Sequence, residues 1–375
     1  MRTLCPIPEP RSRSVPPPHR TEVAVIGGGI SGLEVAHLLH ERGIQAHVFE
    51  QQKALAGGMA TRGMGVASTL LLDPPFRLIQ AVGEETARAI YRFAAEGVVS
   101  WGDRLEQEGL IHAPRSEKEA EEVVQNLRAM ERLGISAEAW TSDIPGLLDG
   151  WRIPTDGTVD LGTWARSRAA HLPHTTSARV VAITDAGSDL CLTLADGRST
   201  LADLVVMTGG AQLTGWAGDK FYSVRHQALA TAPVEPLLIQ PMSIQYGYTL
   251  ARQLNTGSVV LSGCRWATPH LEVGEDDDTV ISEAVNARLE AVLRQHWPML
   301  QDAAITHRWT SIMTFSCDGL PIIGPLPGRP RIIACGGFGG FSPTLAPRAA
   351  RAVVDGILTG ESPGVPASFF TRRFD

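Results

Sequence analysis

The sequence predicts an α/β protein: a βαβ-type layer encoded at both ends of the chain, interrupted by segments that build an antiparallel-sheet α+β domain. Three observations predict it. The stretch "EVAVIGGGISGLEVAHLL" passes from β-branched apolar residues through glycines into apolar residues at helical spacing, and "AHVFE" follows as a second strand. Near the other end, "PRIIACGGFGG" is again a strand running into glycines, with helical residues after it. Between Phe221 and Arg265, β-type runs alternate with Pro and Gly turns, as in an antiparallel sheet.

Taken in order, residues 1–20 are rich in proline and arginine and lack the apolar core of a signal peptide, so they read as a disordered leader. A strand starts at Thr21, a helix carries Leu33, Ala36, Leu38 and Leu39 on its faces, and a second strand ends at Glu50. Residues 75–133 take a helical period, with Ala87, Ile90, Tyr91, Ala94, Val98, Trp101 and Leu105 three or four apart, then Val123, Val124, Leu127 and Met130. "DGTVDLGTWARSRAA" reads as a turn and a helix, "ARVVAIT" and "LCLTLADGR" as a hairpin, and "LADLVVMTGG" as a buried strand ending in glycines. The acidic run 275–278 reads as a solvated loop and helix N-cap, because Val280, Ile281, Ala284, Val285, Leu289, Val292 and Leu293 follow at helical spacing. The last helix is expected over 345–358.

Composition sets limits. With 375 residues, 43% hydrophobic and 19% charged, the chain can bury a large core, and its length suits two domains or one large α/β unit. A net charge of −7 without a Lys/Arg run disfavours nucleic acid. The five cysteines lack CxxC spacing, which disfavours a disulfide framework and a metal site and fits reduced thiols in the cytoplasm. One of them could carry a covalent cofactor, which the spacing does not decide. No run reaches the length of a membrane span.

Gly27, Gly29 and Gly32 form G-x-G-x-x-G between strand and helix, with Glu50 about 20 residues on, the spacing of a dinucleotide fingerprint. The first glycine allows the tight turn, the second lets backbone approach a pyrophosphate, and the third lets helix and strand pack closely. Ile30 and Ser31 open the helix, whose free N–H groups and positive dipole face the phosphates. Glu50 accepts the ribose hydroxyls and argues against a 2′-phosphate. A simple NAD domain would start its next helix soon afterwards. Here "GGMATRGMGVAST", with Gly58, Met59, Ala60 and Arg62, stays glycine-rich and resembles the second phosphate-contacting loop of two-dinucleotide-domain flavoproteins, which runs along an extended FAD; that resemblance implies FAD.

With its C-terminal half included, the chain resembles the D-amino-acid oxidase superfamily of FAD-dependent oxidoreductases, which includes glycine, sarcosine and γ-glutamylputrescine oxidases. The likeness covers nearly everything after Thr21. It rests on the fingerprint, on "DGTVDLGTWARSRA", on "ADLVVMTGGAQ", and most specifically on Trp309, Asp318, Pro321, Ile323 and Gly324 followed by a strand and the glycines 336–340. It implies a Rossmann-like FAD domain over 21–70, 151–216 and 319–375, with a substrate domain from an insertion at 71–150 and from 217–318.

The resemblance also implies site residues. Gly337, Phe338, Gly339, Gly340 and Phe341 would lie at the pyrimidine end of the flavin, with Gly209 at the cofactor and Val180 touching the adenine through its backbone. Glycine-oxidase-like members place an arginine four residues after the tryptophan, against the substrate carboxylate; here that residue is Met313. Methionine cannot make bidentate charge-assisted bonds, which points toward amine substrates. Arg265 is the candidate replacement anchor, with Arg62 and Arg225 behind it, while Tyr246, Tyr248 and His226 are candidate proton acceptors or pocket walls. Sarcosine-type members hold an oxygen-activating lysine where Leu261 stands, so dioxygen or another electron acceptor is left open. The activity expected is oxidation of the C–N bond of an amine or amino acid by hydride transfer to flavin N5, giving an imine that hydrolyses. A D-amino-acid or glycine-type oxidase, or a flavin-binding non-catalytic subunit of a larger oxidoreductase, are the alternatives. The oligomeric state is not set by the sequence.

Overall fold

The computed structural model describes residues 13–70, 73–210, 220–238 and 240–374. The described chain divides into two compact units, one built from Arg62–Val159 and Val224–Ile312, the other from residues 13–61, Asp160–Ser223 and residues 313–374. The crossings at Thr61, Val159, Ser223 and Ile312 fall six to nine residues from the boundaries expected at 70, 150, 216 and 318.

The unit holding both chain ends is organised on a mainly parallel sheet. Strands His174–Thr175, Ala46–Phe49, Arg20–Ile26 and Ser199–Met207 lie side by side and parallel. The far edge of Ser199–Met207 is shared. Its first residues take the antiparallel strand Asp189–Leu194, which pairs in turn with Val180–Ala186, while its last residues pair parallel with Arg329–Gly336. Strand Ile322–Leu326 closes that side antiparallel to Arg329–Gly336. Ile26 stands opposite Met207 and Phe49, and Met207 opposite Ala334, so four parallel strands end at one edge of the sheet. In open α/β sheets, ligands bind outside the edge where the parallel strands end.

Strand Arg20–Ile26 is buried along Val23, Ala24, Val25 and Ile26, as a two-faced parallel strand must be. Helix Ile30–Glu41 buries Leu33, Val35, Ala36, Leu38 and Leu39 and packs against the last helix, Ser342–Thr359, which starts with Pro343 in its first turn and stops at Gly360 in the left-handed region.

The leader expectation needs correction. Residues 1–12 lie outside the described residues, but the segment after them is strapped to the sheet. Val15 N–H donates to the His174 carbonyl at 2.9 Å, Thr176 N–H to Ser14 Oγ at 3.0 Å, and Leu201 N–H to the His19 carbonyl at 2.9 Å. These bonds satisfy an edge strand that composition alone could not reveal.

The other unit carries an eight-stranded sheet in the order Ile305–Ser316, Phe221–Pro233, Ser258–Gly263, Thr249–Gln253, Met242–Ile244, Leu110–Ala113, Gly150–Ile153 and Glu138–Trp140. It is mixed rather than purely antiparallel, because Met242–Ile244 pairs parallel with Leu110–Ala113. The helical period over 75–133 is realised as Pro75–Val82, Glu84–Val99 and Val123–Leu133, but the chain leaves the helix before Trp101 and forms the strands Leu105–Glu106 and Leu110–Ala113. Ala87, Ile90, Tyr91, Ala94 and Val98 are buried as expected. Helix Glu283–His296 is capped by Ser282, whose hydroxyl accepts from Val285 N–H at 3.4 Å, and not by the acidic run. Asp278 instead pairs with Arg62 and Glu275 with Arg225.

Candidate functional site

The fingerprint loop shows why each glycine is glycine. A Cβ on Gly32 would stand 1.9 Å from the Gly27 carbonyl oxygen and 2.6 Å from Thr208 Oγ1. On Gly27, at φ +106°, it would stand 2.6 Å from Gly209 Cα. Helix and two strand ends therefore touch backbone to backbone. Gly29 is different: nothing among the described residues lies within 4 Å of its Cβ position. Gly29 is the extended N-cap of the helix, its side supplies no capping bond, and no acidic residue occupies the first turn. The helical ladder starts with Leu33 N–H donating to the Gly29 carbonyl at 3.0 Å, so the amides of Ile30, Ser31 and Gly32 keep their N–H groups for another acceptor. An open space in front of uncapped amides at the positive end of a helix is suited to hold a phosphate.

Glu50 leaves strand Ala46–Phe49 beside this loop. Its Oε2 accepts from Gly28 N–H at 2.7 Å and its Oε1 from Gln52 N–H at 2.7 Å. Burial pushes its pKa up, and the backbone donors pull the other way. Each oxygen keeps acceptor capacity, as a vicinal diol requires. The Glu50 carbonyl accepts from Ala178 N–H at 2.8 Å, which brings the start of strand Val180–Ala186 to this corner, where Val180 is buried. Thr208, which the sequence reading passed over, donates its hydroxyl to the carbonyls of Ile26 at 2.9 Å and Gly27 at 3.0 Å and so fixes the turn. The only sequence signal for it was its place before two glycines.

The glycine-rich loop after Arg329–Gly336 emerges at the same edge. Gly339 lies at φ +53°, and a Cβ there would meet the Phe315 ring at 2.3 Å. Phe338 pairs with Phe315 through an isolated bridge, and Phe341 opens helix Ser342–Thr359 as its N-cap. Met313 is buried, with its sulfur 3.5 Å from the Cβ position of Gly340. Gly27, Gly29, Ile30, Ser31, Gly32, Glu50, Val180, Gly209, Gly337, Phe338, Gly339, Gly340, Phe341 and Met313 all belong to this unit. Fingerprint, acidic residue and terminal loop thus share one sheet edge, a fit to an elongated dinucleotide.

The chain matches the FAD-dependent oxidoreductase (DAO) family over residues 22–356. It belongs to that family. Among curated relatives it is 26% identical to the tRNA 5-methylaminomethyl-2-thiouridine biosynthesis bifunctional protein MnmC of Caulobacter sp. (strain K31), covering 92% of this chain and 56% of that protein. It is 29% identical to glycine oxidase of Pseudomonas putida over 43% of each chain. The chain thus spans about half the length of these two relatives. Among solved structures, L-proline dehydrogenase from P. horikoshii superposes with a TM-score of 0.79 at 18% identity, covering 95% of this chain and 98% of the other. Glycine oxidase from Geobacillus kaustophilus gives 0.76 at 20%, covering 94% and 99%. At such identities these two show the oxidoreductase fold.

The remaining expected site residues are distributed differently. Gly58 has nothing among the described residues within 4 Å of its Cβ position, and Met59 and Ala60 start the short helix Met59–Arg62. Arg62 opens the other unit, where its Nη1 pairs with Asp278 at 2.7 Å and its carbonyl accepts from Trp309 Nε1 at 2.8 Å. These contacts hold it within its own unit.

Arg265 follows Cys264, a non-glycine residue at φ +53°, and stacks its guanidinium 5.2 Å from the Tyr248 ring centroid while donating to the Leu271 carbonyl at 3.4 Å. Tyr246 does not fit a proton acceptor. Its hydroxyl donates to Glu122 Oε2 at 2.7 Å, Arg77 lies 4.7 Å over its ring, and burial with the Glu122 carboxylate pushes its pKa up. Arg225 is likewise spoken for, paired with buried Glu272 at 2.7 Å and with Glu275 at 3.2 Å. His226 is held near a pKa of about 4 by burial and secondarily by Arg265, so it is a neutral imidazole at pH 7. Leu261 is a core side chain with no exposure, packed with Leu229, Ala251 and Val259.

Asp156 was missed as an individual residue. It is fully buried, its Oδ2 accepts from Ser68 Oγ at 2.8 Å, and its Oδ1 accepts from Thr69 N–H and Oγ1, each at 2.9 Å. Among the described residues no cation offsets its burial, and its pKa is pushed up to about 6. Among the described residues no helix is long and apolar enough to cross a membrane.

Proposed function

We propose that this family member oxidises the C–N bond of a small amine or amino acid, with FAD held along the strand-end edge described above. The observation that carries the reading is the shared edge: uncapped helix amides behind Gly29, the Glu50 carboxylate, and the loop 337–341. Bound FAD supplies a two-electron acceptor for a C–H bond next to nitrogen, and the imine product hydrolyses in water.

The chain's own part is binding, orientation and charge. The amides of Ile30, Ser31 and Gly32 take phosphate charge, and Glu50 orients the ribose. Backbone N–H groups of the terminal loop and the start of helix Ser342–Thr359 offer positive dipole where negative charge grows on reduction. Met313 leaves no cation at the position that holds a carboxylate in glycine-oxidase-like members, which supports an amine as substrate. Neutral His226 can accept a proton weakly, so binding the amine in its neutral form matters more than a strong base.

The relatives' names, glycine oxidase and a methylaminomethyl-uridine enzyme, share carbon–nitrogen chemistry. The net charge of −7 favours a small molecule over tRNA. A glycine-type oxidase binding a carboxylate through Arg265 is the second reading, favoured by the stacking of that guanidinium on Tyr248.

The test is anaerobic. The purified yellow protein, absorbing near about 450 nm, is mixed with a panel of amines and D-amino acids before oxygen is admitted. Bleaching by amines is expected, and reoxidation on admitting air identifies dioxygen as acceptor. A protein that takes up no flavin, or whose flavin no amine or amino acid bleaches, overturns the proposal.

A further inference from the structure

We infer that the Thr314 hydroxyl is a hydrogen-bond donor to the flavin ring and raises its reduction potential. The inference rests on the FAD reading above. Thr314 is 6% exposed, and its Oγ1 has no hydrogen-bond partner among the described residues. Buried hydroxyls without a partner are uncommon in folded proteins, so this one points to an acceptor that the described residues do not supply.

Its position says which acceptor. Oγ1 stands 3.3 Å from where Gly210 would carry a Cβ, at the end of the segment that leaves strand Ser199–Met207 through Thr208 and Gly209. That is the strand-end edge on which the fingerprint and the terminal loop also open. Along strand Ile305–Ser316, successive side chains alternate. Met313 and Phe315 reach Gly340 and Gly339 of the terminal loop, while Thr314 turns to Gly210. The strand end is therefore held between two glycine loops, and the Thr314 hydroxyl faces the one at Gly210.

An oxidised isoalloxazine presents more acceptors than donors along its polar edge, so a hydroxyl there donates. A donated bond strengthens as the ring gains electrons, because a bond to a charged acceptor is stronger than one to a neutral acceptor. Removing it should therefore weaken the reduced form more than the oxidised form.

The experiment compares the wild-type holoprotein with Thr314→Val, which keeps the shape and removes the hydroxyl, and Thr314→Ser, which keeps the hydroxyl. FAD uptake by each apoprotein and the midpoint potential of the bound flavin are measured. A tenfold loss of preference for reduced over oxidised flavin is expected in Thr314→Val, a fall of about 30 mV for a two-electron couple, with Thr314→Ser close to wild type. A potential unchanged in Thr314→Val while only thermal stability drops would show that the hydroxyl serves packing, and would overturn the inference. Wild-type protein that takes up no FAD would remove the cofactor reading itself.

Discussion

Replacing Gly32 with alanine is expected to destabilise strongly the folded unit that carries the fingerprint. The new methyl would stand 1.9 Å from the Gly27 carbonyl oxygen, which belongs to the backbone of the turn, and 2.6 Å from Thr208 Oγ1, itself bonded to two carbonyls. The first neighbour is backbone, and the second is held in place by its two hydrogen bonds. Relief would require moving helix Ile30–Glu41 away from strand Arg20–Ile26, and that helix also packs on Ser342–Thr359. Overpacking in well-filled cores costs about 1–3 kcal/mol and more where backbone must move, so a loss of at least about 3 kcal/mol is expected. Urea unfolding of Gly32→Ala measures it; a midpoint equal to wild type would mean that the close approach does not exist.

The second large effect concerns Asp156 and pH. Its pKa is pushed up to about 6 from 3.8, chiefly by burial, against three hydrogen bonds from Ser68 and Thr69. The folded protein holds this proton more tightly than the unfolded chain does. The stabilisation is therefore complete below about pH 4 and is lost as pH rises through 6. Roughly two pKa units correspond to about 3 kcal/mol. Asp156→Asn cannot titrate, so its stability relative to wild type should rise by about that amount between pH 4 and 7. Chemical denaturation at several pH values gives the difference directly. Parallel curves for the two proteins would show that the carboxyl is solvated and that the Ser68–Thr69 segment is not closed around it.

The parts of this molecule that were legible in sequence are those fixed by local backbone geometry. Gly27, Gly29 and Gly32 need their spacing because a turn, an open cradle and a helix–strand contact follow one another within a single turn of chain. The strands Val180–Ala186, Asp189–Leu194 and Ser199–Met207 were legible because each carries its own apolar run between turn residues. What escaped was set by partners far along the chain. Tyr246 looked like a free hydroxyl, yet its partner Glu122 lies 124 residues away. Arg225 looked like a free cation, yet buried Glu272, 47 residues on, neutralises it.

The acidic run before helix Glu283–His296 resembled an N-cap, but Ser282 sits at the right backbone position and the acids serve Arg62 and Arg225. Strand Leu110–Ala113 hid inside a helical period because its parallel mate, Met242–Ile244, gives no local sign of the pairing. Asp156 lay in a motif quoted for family likeness, and nothing in that motif says that its carboxyl closes on Ser68 and Thr69.

The measurement that bears most directly on the whole account is FAD binding by Gly29→Ala. Gly29 has φ −81°, which alanine accepts, and nothing among the described residues lies within 4 Å of the added methyl. The variant apoprotein should therefore unfold at the wild-type urea concentration. The methyl would nevertheless stand in the space that the helix amides face, and losing one or two charge-assisted bonds to phosphate, at about 1.5–3 kcal/mol, weakens binding about 10- to 100-fold. Titration of the two apoproteins with FAD, followed by flavin fluorescence, should give that loss with no change in stability. Equal affinities for FAD in the two proteins would contradict the placement of the dinucleotide phosphates at this helix.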